Sequence, residues 1–259
     1  EEAVPALCPS CKSKRLKMYG VGTQRMEEEL SKMFPGHGVA RMDVDSTRAR
    51  GSHRRILDDF KSGRAPILVG TQMIAKGLDI PEVTLVGIIA ADMSLKFPDF
   101  RAAERTYQLV TQVSGRAGRG TEPGLVIVQT YNPDHYSLKS AVEGDFKSFY
   151  ETEAKSRKAL GYPPFAEMAR ILVVSASPSL AESAASSIAR GIRKDAQGIR
   201  VLGPSPAPLS RVEGKSRWHI LLLCENRETL AGKLEGLARG GEEHEGCSIR
   251  IDFDPQSTL

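Results

Sequence analysis

From Arg15 to Thr130 short apolar runs alternate with segments of helical period, and this alternation confines the chain to few folds. Arg15–Tyr19, Val39–Val44, Pro66–Gly70, Val83–Ala91 and Gly124–Thr130 read as strands. Pro66–Gly70 is a short continuous apolar run, the pattern of a strand covered on both faces. Between them lie helical segments. Thr23 is placed to cap a helix carrying Met26, Leu30, Met33 and Phe34 on one face, which Pro35-Gly36 stops. His53–Lys61 turns Ile56, Leu57 and Phe60 inward and ends at Gly63, and Arg101–Ser114 is a longer helix. Strands that alternate with helices imply an α/β lobe, a parallel sheet with helices on both faces.

The rhythm then changes. Phe146, Phe149, Tyr150, Ala154 and Leu160 share a face between Glu143 and Leu160, which predicts one linking helix. Gly161-Tyr162-Pro163-Pro164 ends it and marks a domain boundary. Beyond it, Met168–Ser175 reads as a strand, and Pro178 opens a helix with Leu180, Ala184, Ile188 and Ile192 at every fourth position. Ile199–Gly203 is a strand, Pro204–Pro208 a Pro-rich loop, Arg217–Cys224 an apolar strand, Arg227–Arg239 a helix and Ser248–Phe253 the last strand. The order βαββαβ is that of an α+β ferredoxin-like domain. The expected divisions are 1–14, a lobe over 15–142, a link over 143–166 and the second domain over 167–259.

Composition narrows the function classes. Formal net charge is +4 over 259 residues. That mild basic excess permits a polyanion partner without requiring one. No window holds eighteen apolar residues and no apolar leader opens the chain, so no membrane role is expected. Four cysteines, of which only Cys8 and Cys11 are paired by spacing, do not make a disulfide framework and favour a cytoplasmic setting.

Two motifs carry chemistry. Gln112-Val113-Ser114-Gly115-Arg116-Ala117-Gly118-Arg119 puts two arginines, each after a glycine, at the end of a helix. Forked, permanently charged guanidinium groups suit a transferring phosphoryl group, although a Gly-Arg surface turn has the same letters. Upstream, Val69-Gly70-Thr71-Gln72 follows a buried strand, and Gly77-Leu78-Asp79 comes shortly after. Loops at strand ends in parallel sheets bind ligands, and a threonine hydroxyl can hold a nucleic-acid phosphate. A capped strand-end turn is the plainer alternative.

Taken together, GTQMIAKGLD followed by QVSGRAGR resembles motifs V and VI of superfamily 2 helicases. The surrounding text is similar to that of one family within it, the replication-restart helicase PriA (primosomal protein N′). The strings are Cys8-Pro9-Ser10-Cys11, Gly20-Val21-Gly22-Thr23, Arg41-Met42-Asp43-Val44-Asp45-Ser46-Thr47, Pro98 through Arg105, and Tyr162-Pro163-Pro164-Phe165. The C-terminal domain matches mainly by pattern and by Arg217-Trp218. The resemblance implies a RecA-like helicase lobe 2 followed by the ferredoxin-like domain. It implies that Gly77, Asp79, Gln112, Arg116 and Arg119 face ATP, with Arg119 the first candidate for an arginine finger. Thr71 and Gln72 would lie along the DNA backbone, and Arg227 near the surface that takes the acidic tail of single-stranded DNA-binding protein. Gln24 stands where the family usually has an acidic residue, and Leu78 where it often has His; neither falls on an expected ATP contact.

The resemblance implies a 3′-to-5′ DNA helicase that reloads the replication machinery at stalled forks, acting on single-stranded and forked DNA with other primosome proteins, as a monomer. It also implies two zinc sites inserted in the lobe. Cys8 and Cys11 are one CxxC pair, half of a tetrahedral site, so residues 1–14 read as the remnant of that insertion. No GxxxxGK[ST] string occurs: Gly214-Lys215-Ser216 is preceded by Leu209 where the first glycine is required. With no acidic DExH-type string either, Mg²⁺ and the ATP phosphates would be held mainly by a lobe outside this chain. The chain alone is expected neither to hydrolyse ATP nor to unwind DNA.

A non-catalytic nucleic-acid-binding module on the same fold and a branch-migration helicase are the alternatives. The two arginines argue against the first; CPSC and RMDVDST argue against the second. Trp218, with Arg211, Lys215 and Arg217 nearby, admits DNA stacking, but a core strand facing inward is the favoured reading. Cys224 and Cys247 read as small buried apolar residues and His37 as a loop histidine. Phe97 and Phe100, in a loop over Leu95–Phe100, could touch DNA or anchor the loop.

Overall fold

The computed structural model describes residues 22–71, 74, 83–115, 123–196, 198–239 and 246–258. The chain divides into two compact units, one of residues 1–90 and 112–127, the other of 91–111 and 128–259.

In the first unit, α1 (Thr23–Met33), β1 (Val39–Met42), α2 (Ser52–Lys61) and β2 (Ile67–Gly70) alternate as read. β1 and β2 pair in parallel, Val39 opposite Ile67 through Met42 opposite Gly70. β3 (Leu85–Ile88) and β4 (Leu125–Val128) form a second two-stranded sheet. The expected strand Arg15–Tyr19 lies outside the described residues. Two local expectations are corrected. Thr23 does not cap α1; Gly22 does, and Thr23 donates its hydroxyl to the Asp43 carboxylate at 2.5 Å. Nor does α1 bury its apolar face: Met33 is 68% exposed and Phe34 lies past the helix as its C-cap.

In the second unit a 3-10 turn, Ala91–Lys96, occupies residues read as strand end and loop. α3 (Ala102–Ser114) follows, its last three residues belonging to the first unit. The single linking helix is in fact two, α4 (Tyr136–Glu143) and α5 (Phe146–Leu160). Gly144 adopts φ 70°, a left-handed cap that glycine tolerates, and Asp145 then caps α5 by accepting from the Ser148 N–H at 3.0 Å. The buried stripe of α5 is also narrower than its apolar letters suggest. Phe149 is buried against Tyr107 with ring centroids 4.1 Å apart, whereas Phe146 is 62% exposed.

The ferredoxin-like order is present in full. β5 (Glu167–Ser175), α6 (Pro178–Lys194), β6 (Ile199–Val212), β7 (Lys215–Cys224), α7 (Arg227–Arg239) and β8 (Cys247–Phe253) make a four-stranded antiparallel sheet in the order β6-β7-β5-β8. Ala169, Ile171 and Val173 on β5 and Ile220 and Leu222 on β7 meet Ala184, Ala185, Ile188 and Ile192 of α6 and Leu230 of α7 in the core. Leu180 is not part of that stripe; Ala181 is buried in its stead.

Pro204–Pro208 is strand rather than loop. β6 is an edge strand, where missing proline N–H groups remove no ladder bond from a central position. It bulges between Leu202 and Ser205, where Gly203 has φ 88° and a side chain would press on the His219 carbonyl. Trp218 is half-buried and packs on the core, the inward orientation favoured from the sequence. Cys224 is buried and Cys247 partly so. Among the described residues no helix is long and apolar enough to cross a membrane.

Candidate functional site

Ligands settle beyond the carboxyl ends of strands in parallel sheets, and the ends of β1 and β2 are the described part of that edge. β1 runs into a tight turn closed by Asp43. The Asp43 amide donates to Ser46 Oγ at 2.9 Å, the Ser46 amide returns a bond to Asp43 Oδ1 at 2.8 Å, and Thr47 Oγ1 donates to the Asp43 carbonyl. The carboxylate is held down at about 2, first by the Thr23 hydroxyl, then by the Ser46 amide and hydroxyl and by the Arg41 charge. Asp43 is therefore a fixed anion whose task is structural: it ties the start of α1 to the end of β1.

Beside it, Gly70 ends β2. A side chain there would meet the Met42 carbonyl oxygen at 2.3 Å and the Ile74 methyl at 2.8 Å, so only glycine lets the chain turn here. The next residue, Thr71, is exposed, and its carbonyl accepts from the Ile74 amide at 3.1 Å. Gln112 is half-buried in the last turn of α3 and belongs to the same compact unit as Thr71. An open hydroxyl and an amide suit the oxygens of a phosphate or sugar, so these two positions fit a nucleotide or polynucleotide ligand. Gln72, Gly77, Asp79, Arg116 and Arg119 lie outside the described residues, as do Cys8 and Cys11. Among the described residues no group of three or more His, Cys, Asp or Glu side chains could hold a metal ion.

Arg227 opens α7 with its side chain 64% exposed, while the Asn226 side chain caps the helix through the Thr229 amide at 2.9 Å. The guanidinium lies over the Phe253 ring, 4.6 Å from its centroid, and pairs with Glu167 at 3.1 Å. Phe100 is an anchor: it stacks on Tyr162 with centroids 5.9 Å apart, under the Arg157 guanidinium.

Sequence reasoning missed a second polar constellation, at the start of α3. Asp99 is buried, its Oδ1 accepting from the Arg101 amide at 2.8 Å and its Oδ2 facing Arg105 at 3.2 Å. Glu104 takes Arg101 at 2.7 Å and Arg157 at 2.8 Å, and Arg157 also pairs with Glu153 at 2.6 Å. The Tyr136 hydroxyl donates to Glu153 at 2.5 Å. Burial, then the adjoining carboxylate, pushes the Tyr136 phenol well above its ordinary range. The only signal in the sequence was the string from Pro98 to Arg105, whose charges at Arg101, Glu104 and Arg105 share a helix face.

Two family models match the chain. Residues 8–121 match the helicase conserved C-terminal domain, and residues 158–256 match the primosomal protein N C-terminal domain. That pairing, a RecA-like helicase lobe joined to an α+β C-terminal domain, defines the class of protein to which this fold and strand-end site belong. The chain is 42% identical over 259 residues to replication restart protein PriA of Bacillus subtilis (strain 168), covering 98% of this chain and 32% of that protein. It is 42% identical over 222 residues to the PriA of Synechocystis (85% and 27% covered). To that of Haemophilus influenzae it is 39% identical over 258 residues (99% and 35% covered). The chain belongs to the PriA family, and it spans about a third of the length of these curated relatives.

Proposed function

We propose that the chain supplies the second motor lobe and C-terminal domain of an ATP-dependent, 3′-to-5′ DNA helicase that reloads the replication machinery at stalled forks. The observation that carries this reading is the succession of GTQMIAKGLD and QVSGRAGR inside the residues matched to the helicase C-terminal domain. A protein that only bound nucleic acid would have no use for two arginines suited to a transferring phosphoryl group.

In this reading ATP lies between this lobe and a P-loop lobe, which holds most of the phosphates and the Mg²⁺. From this chain, Gly77, Asp79 and Gln112 orient the nucleotide and Arg116 and Arg119 face its terminal phosphate. A guanidinium there neutralises the charge that grows on the transferring group. Thr71 and Gln72 hold the backbone of single-stranded DNA, so that opening and closing of the cleft moves the strand. The 259 residues contain no P-loop string, and the chain alone is inactive. The protein acts as a monomer in the cytoplasm, on single-stranded and forked DNA, with other primosome proteins. Cys8 and Cys11 provide two of the four thiolates of a zinc site completed from outside the chain.

The test joins this chain to a P-loop lobe of its family and substitutes Arg119→Ala. DNA-stimulated ATP turnover should fall about 10³-fold or more, the usual worth of an arginine finger, with DNA affinity kept. Loss of DNA binding with turnover intact would favour a binding module. Zinc analysis of the same protein checks the metal, and its absence removes that part. Arg227, cationic and exposed, receives the acidic tail of single-stranded DNA-binding protein. Arg227→Ala should weaken capture of an acidic tail peptide, and unchanged peptide affinity sinks that assignment.

A further inference from the structure

The C-terminal tail grips the start of α3. Gln256 accepts from Arg101 through its side-chain oxygen at 2.7 Å and from Arg105 through its carbonyl at 2.7 Å. Ser257 Oγ donates to Asp99 Oδ2 at 2.6 Å, the Thr258 amide to the same oxygen at 3.2 Å, and Thr258 Oγ1 to the Pro98 carbonyl at 3.0 Å. Pro255 and Thr258 are buried. These are not loose surface bonds: the Asp99 side chain is 1% exposed, and a buried carboxylate that lost its donors would be left with an uncompensated charge.

The tail leaves β8, an edge strand of the ferredoxin-like sheet, and the Asp254 amide donates to the Met168 carbonyl at 2.9 Å where it departs. The helix it grips is the one that leads into the arginine motif. α3 runs unbroken from Ala102 to Ser114, and Arg116 and Arg119 follow two and five residues later in the sequence. A helix of 13 residues is a stiff rod of about 20 Å, so its orientation is set by whatever fixes its N-terminal turn. Arg101 and Arg105 carry the strain of both ends of this arrangement, since Arg101 also pairs with Glu104 inside the helix.

The geometry points to the C-terminal domain as the element that positions the arginine motif, with Asp99, Gln256, Ser257 and Thr258 as positioning residues acting through α3. This rests on the proposed function for its catalytic consequence alone; the mechanical coupling stands apart from it. The tail residues touch no part of the expected ATP site, so their loss should act on turnover and spare the binding of nucleotide.

Two measurements test it. In the 259-residue chain, removal of Gln256–Leu259 should speed amide hydrogen exchange along all of α3, Gln112–Ser114 included, by about tenfold or more, with β7 amides unchanged. An effect confined to the first turn, or none, overturns the coupling. Exchange that rises everywhere would show general loss of fold and likewise overturn it; the milder Ser257→Ala should then have shown the same spread. In the chain joined to a P-loop lobe, Ser257→Ala should lower kcat about tenfold with KM for ATP unchanged, as a displaced reacting group does. Ser257→Thr, which keeps the hydroxyl, should restore it. A raised KM with kcat intact contradicts positioning. If the joined wild-type protein has no ATP turnover, the proposed function fails, while the exchange measurement still decides the coupling.

Discussion

Glu104 is the residue on which the second unit's charge network turns. It accepts from Arg101 and Arg157 together, and those bonds, with the two positive charges, hold its carboxyl at about 2 against an ordinary 4.5. A carboxylate lowered on folding stabilises the native state wherever it is ionised in both states, above about pH 4.5 here, and the contribution fades as pH falls toward 2. Its side chain is 20% exposed, so water screens part of the attraction. Glu104→Gln should cost about 1–3 kcal/mol at neutral pH. The gap between wild type and variant in urea melts should close as pH drops through that window. A gap that is constant from pH 7 to 2 would mean that Glu104 contributes shape rather than charge. None of this was readable from the sequence. The letters of residues 98–105 place Arg101, Glu104 and Arg105 on one helix, but Arg157 and Gln256 reach them only through the tertiary fold.

At the scale of elements, what the sequence conveyed was periodicity, and what it hid was interruption. The βαββαβ order and the strands of the first unit follow from spacing alone. The break between α4 and α5 does not, because Gly144-Asp145 interrupts a face whose apolar letters continue across it. A glycine with φ 70° and an aspartate cap were legible in principle; the run of aromatic residues outweighed them. The strand through Pro204–Pro208 was hidden for a different reason. Proline reads as a breaker unless the strand is known to lie at an edge, and that is a property of the sheet. The consequence for packing can be measured on α5. Phe149→Ala, losing a ring stacked on Tyr107, should cost about 3–5 kcal/mol, whereas Phe146→Ala should cost under about 1 kcal/mol. Equal costs in denaturant melts would contradict the assignment of the buried face.

Over the whole molecule, the family and its two-part architecture were the most legible features, since they rest on short strings whose order matters more than any one letter. The strand-end site is half visible: Thr71 is exposed beyond the Gly70 turn and Gln112 sits in the last turn of α3, as a ligand site at the end of a parallel sheet requires. The central claim is that the chain carries phosphate-facing arginines with no phosphate-holding loop of its own. ATP turnover measured with DNA present, on the pure 259-residue chain and on the same chain joined to a P-loop lobe, tests that claim directly. The account predicts none from the chain alone and DNA-stimulated hydrolysis from the joined protein. Robust turnover by the isolated chain, or none from the joined one, would contradict it.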